Sequence, residues 1–218
     1  MLMSSCGGAP GPVLPAGAVP ATRAEVEAWA ATRPAVPPVI HRFRWLYRDR
    51  EQSLGGRGSA RIAAGDSLRL DMAGPLGSGR GAAFVIRDSS QWAVPEEDIR
   101  KLVPNYPLLW AMLGVTHLPT GTTQVQRYAD AKVTAWRLIH GTDTVDFART
   151  EGSPVRLTAE VRSAGARIGR VITIFQEDGS LKSSRLDIPG ASARLDLTFA
   201  SSNRTSAFAP DTWVRPEP

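Results

Sequence analysis

From Val39 onward the chain alternates between apolar and polar residues with a period of two. Leu68, Leu70 and Met72 are separated by Arg69 and Asp71, the signature of a half-buried antiparallel strand. Val155, Leu157, Ala159 and Val161 share one face in the same way, as do Ile168, Ile172 and Ile174, and Leu195, Leu197 and Phe199. The pattern predicts strands near 39–49, 58–64, 68–72, 82–88, 123–129, 132–140, 143–149, 155–163, 167–176, 181–188 and 193–200. Turn residues punctuate them at Gly55-Gly56-Arg57-Gly58, Gly65-Asp66, Gly74 to Gly81, Gly141-Thr142-Asp143, Glu151-Gly152, Gly165 and Asp178-Gly179.

Two regions break this period. Thr22-Arg23-Ala24-Glu25 reads as a capping box, in which hydroxyl and carboxylate each satisfy a free backbone N–H. Val26, Trp29 and Ala30 then fall on one helical face, and Pro34, Pro37 and Pro38 stop the helix. The second region lies between the two groups of strands. Pro95-Glu96-Glu97-Asp98 places proline and three acids at the positive end of a helix dipole, and Pro104 ends that helix. Pro107 opens another apolar helix through Leu108, Leu109, Trp110, Met112 and Leu113, with Gly114 as its stop.

The fold class that follows is α+β and mainly antiparallel β. About 10–11 strands linked by hairpins form one meander, too large to stay flat. One face of such a sheet needs cover, and the helices are the material available. The expected architecture is a curved, unclosed β-barrel with helices over its concave face, as one domain spanning 22–218 with a helical lid at about 95–114.

Composition adds little to this and excludes more. The chain has 218 residues, 42% of them hydrophobic, enough to bury a sizeable core. No run approaches the roughly 18–20 apolar residues of a membrane-spanning helix. The formal net charge is +5, and only Lys101, Lys132 and Lys182 among 26 basic residues are lysine. Arg61, Arg69, Arg87, Arg137, Arg156, Arg162, Arg170, Arg185 and Arg194 alternate with apolar residues, which reads as the solvated face of a sheet. No basic stripe with interleaved aromatics is present, so nucleic acid is not an expected partner.

Catalytic patterns are lacking. His41, His117 and His140 have no metal-ligand spacing, so neither a metal nor another cofactor is expected. Gly77-Ser78-Gly79-Arg80-Gly81 does not have the Gly-Lys-Ser/Thr ending of a phosphate loop, and there is no Gly-x-Ser-x-Gly elbow. Glu96, Glu97 and Asp98 are explained by the helix dipole. The residues predict no enzyme.

Cys6 is the one cysteine, in Met1-Leu2-Met3-Ser4-Ser5-Cys6-Gly7-Gly8. Small residues before a cysteine, followed by Gly, Pro, Ala and Val through residue 21, resemble the end of a bacterial lipoprotein signal and a flexible tether. Five residues precede Cys6, without the charged and apolar regions of a full leader, so this reading needs an upstream start or trimming. The alternative is a lone, unpaired thiol in the terminus.

Three stretches together resemble a known family. Gly58-Ser59-Ala60-Arg61-Ile62 leads into Leu68-Arg69-Leu70-Asp71-Met72 and the Ala73-Gly74-Pro75-Leu76-Gly77 turn. Leu108-Leu109-Trp110-Ala111-Met112-Leu113-Gly114 is followed by Leu118-Pro119. Arg194-Leu195-Asp196-Leu197-Thr198-Phe199 precedes Phe208 and Trp213. Over residues 39 to 215 the chain is similar to the LolA/LolB-like superfamily of lipoprotein carriers and receptors, and closest to the LolB outer-membrane receptors. That superfamily also includes lipid and glycolipid carriers and sensors of envelope stress.

The resemblance implies an unclosed barrel with a helical lid and a cavity for the acyl chains of lipoproteins or lipids. It implies a monomer held on the periplasmic face of the outer membrane by lipidated Cys6, meeting a periplasmic carrier protein. The candidate lining residues are Leu68, Leu70, Met72, Phe84, Ile86, Trp92, Leu109, Trp110, Met112, Leu113, Trp136, Leu138, Ile172, Ile174 and Leu186. LolB receptors also carry an exposed apolar loop that helps membrane transfer, and Met112 to Leu118 is the stretch considered for it. The alternative function is a structural or sensing lipoprotein whose core is filled and whose surface meets a protein partner.

Overall fold

The computed structural model describes residues 13–31, 38–63, 67–75, 79–95 and 105–216. Cys6 and residues 96–104 of the expected lid lie outside them. The strands are β1 (Val19–Ala21), β2 (Val39–Arg48), β3 (Ser53–Ala63), β4 (Ser67–Ala73), β5 (Arg80–Ile86), β6 (Ser89–Val94) and β7 (Gln124–Ala129). They continue with β8 (Val133–His140), β9 (Asp143–Thr150), β10 (Arg156–Ser163), β11 (Ala166–Phe175), β12 (Leu181–Ile188) and β13 (Ala193–Arg204). Among the described residues the α-helices are α1 (Arg23–Ala31) and α2 (Tyr106–Met112). No helix among the described residues is long and apolar enough to cross a membrane.

All 13 strands form one antiparallel sheet in the order β1-β7-β8-β9-β10-β11-β12-β13-β2-β3-β4-β5-β6. Two meanders, β2–β6 and β7–β13, are joined where the last strand pairs with the second, Phe199 opposite Phe43 and Leu197 opposite Trp45. The sheet is an unclosed curved barrel: β1 and β6 are its two edges. Two of its strands fall outside the expected set. β1 lies within the stretch read as a tether and pairs Val19 with Arg127, while Val13 and Leu14 are buried against Ala135 and Ala148. β6 returns along β5, with Phe84 opposite Trp92.

The capping box forms as expected. The Glu25 N–H donates to Thr22 Oγ1 at 3.2 Å, and the Thr22 N–H donates to Glu25 Oε2 at 2.7 Å. Val26 is fully buried, and Trp29 meets Trp136 with ring centroids 6.0 Å apart.

The expected turn at Gly55 to Gly58 is instead the interior of β3. The chain turns earlier, where Asp49 Oδ1 accepts from the backbone of Glu51 and Gln52. The glycines serve packing. A Cβ on Gly58 would stand 2.5 Å from the Phe43 ring, and one on Gly56 would stand 1.9 Å from the Ala73 carbonyl oxygen. Glycine inside a strand marks such a close approach as readily as a turn.

Candidate functional site

The inner face of the barrel carries the larger of the two hydrophobic clusters among the described residues. Period two places Leu68 and Leu70 of β4, Trp136 and Leu138 of β8, Val171 and Phe175 of β11, and Leu186 of β12 on this side, all buried. Met72 continues the β4 row and is half-buried. α2 lies across β10, β11 and β12. Its residues Pro107 to Met112 are all buried, with Leu113 directly after them. Gly114 then reverses the chain at φ 74°, a conformation open to glycine.

Polar groups on this face are few, and nearly all are satisfied. The Thr173 hydroxyl donates to the Ala111 carbonyl of α2 at 2.7 Å and lies 3.0 Å from Ser184 Oγ. His41 Nδ1 lies 2.8 Å from Ser202 Oγ, and the ring packs edge-on to Phe199. Burial of His41 disfavours its charged form and lowers its pKa to about 4. At the α2 exit, His117 stacks on Trp110 and meets Asp88 Oδ1 at 2.8 Å, while Trp110 Nε1 donates to the Arg87 carbonyl at 3.0 Å. Asn105 Oδ1, just before α2, is buried without a hydrogen-bond partner among the described residues, and so is one group of Trp136. Its indole N–H is buried and has no hydrogen-bond acceptor among the described residues.

The candidate lining residues divide between the two faces. Leu68, Leu70, Met72, Leu109, Trp110, Met112, Leu113, Trp136, Leu138 and Leu186 come together in the inner cluster. Phe84, Ile86 and Trp92 do not. Ala83 and Val85 are buried inner residues of β5 and Ala93 is one of β6, so their larger neighbours point outward. There the C-terminal segment covers them: Phe84 lies 5.2 Å from the Trp213 ring, and Trp92 Nε1 donates to the Trp213 carbonyl at 3.0 Å. Ile172 and Ile174 are likewise on the outer side, alternating with Val171, Thr173 and Phe175. The stretch Met112 to Leu118 is no exposed apolar loop, since Met112 and Leu113 are buried and Val115 and Leu118 pack against the core.

The sequence reading passed over several inner residues. Phe43, Trp45 and Tyr47 of β2 line the face, as do Val171 and Phe175 of β11. Arg42 and Arg44, on either side of Phe43, carried the signal for the β2 phase.

The outer face of β8–β13 is a charged ladder. Arg137 makes two 2.7 Å hydrogen bonds to Asp146, which raise the arginine pKa. Buried Glu160 is met by Arg162 Nε at 2.7 Å and Arg170 Nε at 2.8 Å. Arg194 pairs with Asp187 and Arg185 with Asp196. Here each of these carboxylates meets a guanidinium, and Asp146 and Glu160 do so while buried. Among the described residues no group of three His, Cys, Asp or Glu could hold a metal ion.

No protein-family model and no curated protein matches the chain. Solved structures do. A domain named for outer membrane lipoprotein sorting, from Vibrio parahaemolyticus, aligns over 86% of this chain and 94% of its own at TM-score 0.53 and 8% identity. A DUF1329 family protein from Desulfovibrio piger aligns over 87% of this chain and 95% of its own, at TM-score 0.37 and 4% identity, too distant to carry an argument. At such identities the likeness is one of fold. At that level the expected architecture holds: the chain has an unclosed, helix-covered barrel, a fold similar to that of the Vibrio domain.

Proposed function

We propose that this chain is an envelope lipoprotein that accepts acyl chains of lipoproteins or lipids between α2 and the inner face of the barrel. The observation that carries the reading is the nature of the α2 contact. Pro107 to Met112 meet β10–β12 through apolar side chains and one side-chain hydrogen bond, from Thr173 to Ala111. Such a contact has little directional content, so an acyl chain can replace it. Each CH₂ withdrawn from water contributes about 0.8 kcal/mol, and a chain of ordinary length offsets several lost side-chain contacts. The unpaired Trp136 N–H gives the face one donor for an ester or acyl carbonyl.

In this reading Cys6 carries the lipid anchor and holds the domain at the periplasmic face of the outer membrane. A periplasmic carrier protein delivers the cargo. The chain works as a monomer and without catalysis.

The test is native mass spectrometry of the full chain carrying Cys6→Ala, gently purified. Co-purified acyl lipid, lost on delipidation and regained on adding fatty acid, is the expected result. A second reading has its own support: Leu108, Trp110 and Ala111 are fully buried, the state of a core filled by its own side chains. Bare protein that takes up no fluorescent fatty acid would select that reading, a structural or sensing lipoprotein with a protein partner.

A further inference from the structure

On the outer face of β2–β5, next along the sheet from the ladder of β8–β13, guanidinium groups stand without carboxylates. Arg42, Arg57, Arg69 and Arg80 line a hollow of about 650 Å³ together with Ser59, Ala73, Ala82, Val94 and Asp71. Strand register builds it: Arg42 stands opposite Ser59, Ser59 opposite Asp71, Asp71 opposite Ala82, and Ala73 opposite both Arg57 and Arg80. Pro216 of the C-terminal segment forms its far wall. That segment is fixed in place by Arg69, whose Nη1 donates to the carbonyl of Thr212 at 2.7 Å.

Asp71 is the one carboxylate lining the hollow among the described residues, and it is already engaged. Arg69 Nε donates to its Oδ1 at 3.0 Å, and Arg61 Nη1 bonds its Oδ2. Arg42, Arg57 and Arg80 are exposed and meet no carboxylate among the described residues. Three unmatched guanidinium groups around one concave site attract a multivalent oxyanion, and the fork of N–H donors matches the geometry of phosphate. The rest of the outer-face lining, Ala73, Ala82, Val94 and Pro216, is apolar and fits the carbon skeleton of an ester.

We propose that this hollow is a binding site for a phosphate ester, the group carried by phospholipid headgroups and by soluble sugar and polyol phosphates. It rests on the envelope reading only for the choice of lipid. Arg57 and Arg80 sit at the end of β3–β5 where Met72 is half-buried on the opposite face. A headgroup held there keeps that end of the inner face beside the bilayer.

The test uses the full chain with Cys6→Ala and vesicles of phosphatidylcholine alone or mixed with phosphatidylglycerol. Binding to the mixed vesicles is expected, with a loss on the order of tenfold in Arg57→Gln/Arg80→Gln. The control is Arg185→Gln/Arg194→Gln, which removes the same charge from the ladder and is expected to bind as the parent does. Glycerol 3-phosphate is titrated separately by calorimetry. Heat that disappears in Arg57→Gln/Arg80→Gln identifies a soluble ester as sufficient. Vesicle binding without such heat identifies the lipid headgroup as the required source. Equal losses in the two double variants, or no preference for anionic vesicles together with no heat, would overturn the proposal. Neither outcome touches acyl-chain uptake, which is read by mass spectrometry.

Discussion

Thr173 on β11 donates its hydroxyl proton to the Ala111 carbonyl at 2.7 Å, and this is the one side-chain hydrogen bond found between α2 and the strands beneath it among the described residues. Both groups are fully buried. Thr173→Val keeps the shape and leaves the carbonyl without its side-chain donor. The expected loss is about 1–3 kcal/mol in urea unfolding. On the proposed function, faster uptake of a fluorescent fatty acid accompanies it. A stable variant with unchanged uptake would show that α2 is not held at this point.

The two faces of the sheet predict different costs for similar truncations. Leu186→Ala removes a fully buried inner side chain and is expected to cost about 2–5 kcal/mol. Ile172→Ala, on the half-buried outer face of the neighbouring strand, is expected to cost a fraction of that. Equilibrium unfolding of the two variants checks the face assignment, and equal losses would contradict it.

Gly58 lies under the Phe43 ring. Gly58→Val is expected to destabilise by about 1–3 kcal/mol or more, because the ring and the Asp71 carbonyl both stand within 3 Å of the new Cβ. Thermal melts would show a lowered midpoint, and Phe43→Leu in the same chain should recover part of it.

His41 makes stability depend on pH. Above pH 6.5 the imidazole is neutral in the folded and the unfolded chain alike. As pH falls below that, the unfolded chain takes a proton that the buried ring refuses until about pH 4. Stability therefore declines between these values, by roughly 3 kcal/mol in all, and this group adds no further loss below. His41→Gln is expected to flatten that part of the profile in denaturant titrations at stepped pH. An unchanged slope would place the sensitivity elsewhere.

Phase along each strand decided how much of the site was legible. In β4, Arg69 and Asp71 separate Leu68, Leu70 and Met72, so only one face could be the inner one. In β5 the run Ala82-Ala83-Phe84-Val85-Ile86 is apolar on both faces. The largest side chain pointed to the wrong side, because Trp213 returns from the far end of the chain to cover Phe84 and Trp92, with Phe208 packed on Trp213. β11 is equally ambiguous: Val171-Ile172-Thr173-Ile174-Phe175 hides the fact that threonine, not isoleucine, faces α2. The arginines looked scattered for a related reason. Arg42, Arg57, Arg69 and Arg80 come from four strands and meet only through register.

Trp136 is tested by binding and stability together. Trp136→Phe keeps most of the ring but removes an indole N–H that has no acceptor among the described residues. Unfolding free energy is expected to fall by about 1–3 kcal/mol for the buried volume removed, while affinity for an acyl ester falls by about 1 kcal/mol, near fivefold. Unchanged affinity would show that the N–H does not meet the ester.

The central claim is that acyl chains enter the inner face and not the outer. The most direct measurement places a photo-crosslinking side chain at Met72 or at Ile86, each half-buried, on inner and outer faces of adjacent strands. Irradiation in the presence of a labelled acyl lipid is expected to capture label at Met72 and not at Ile86. Label at Ile86 alone, at both positions equally, or at neither would contradict the account.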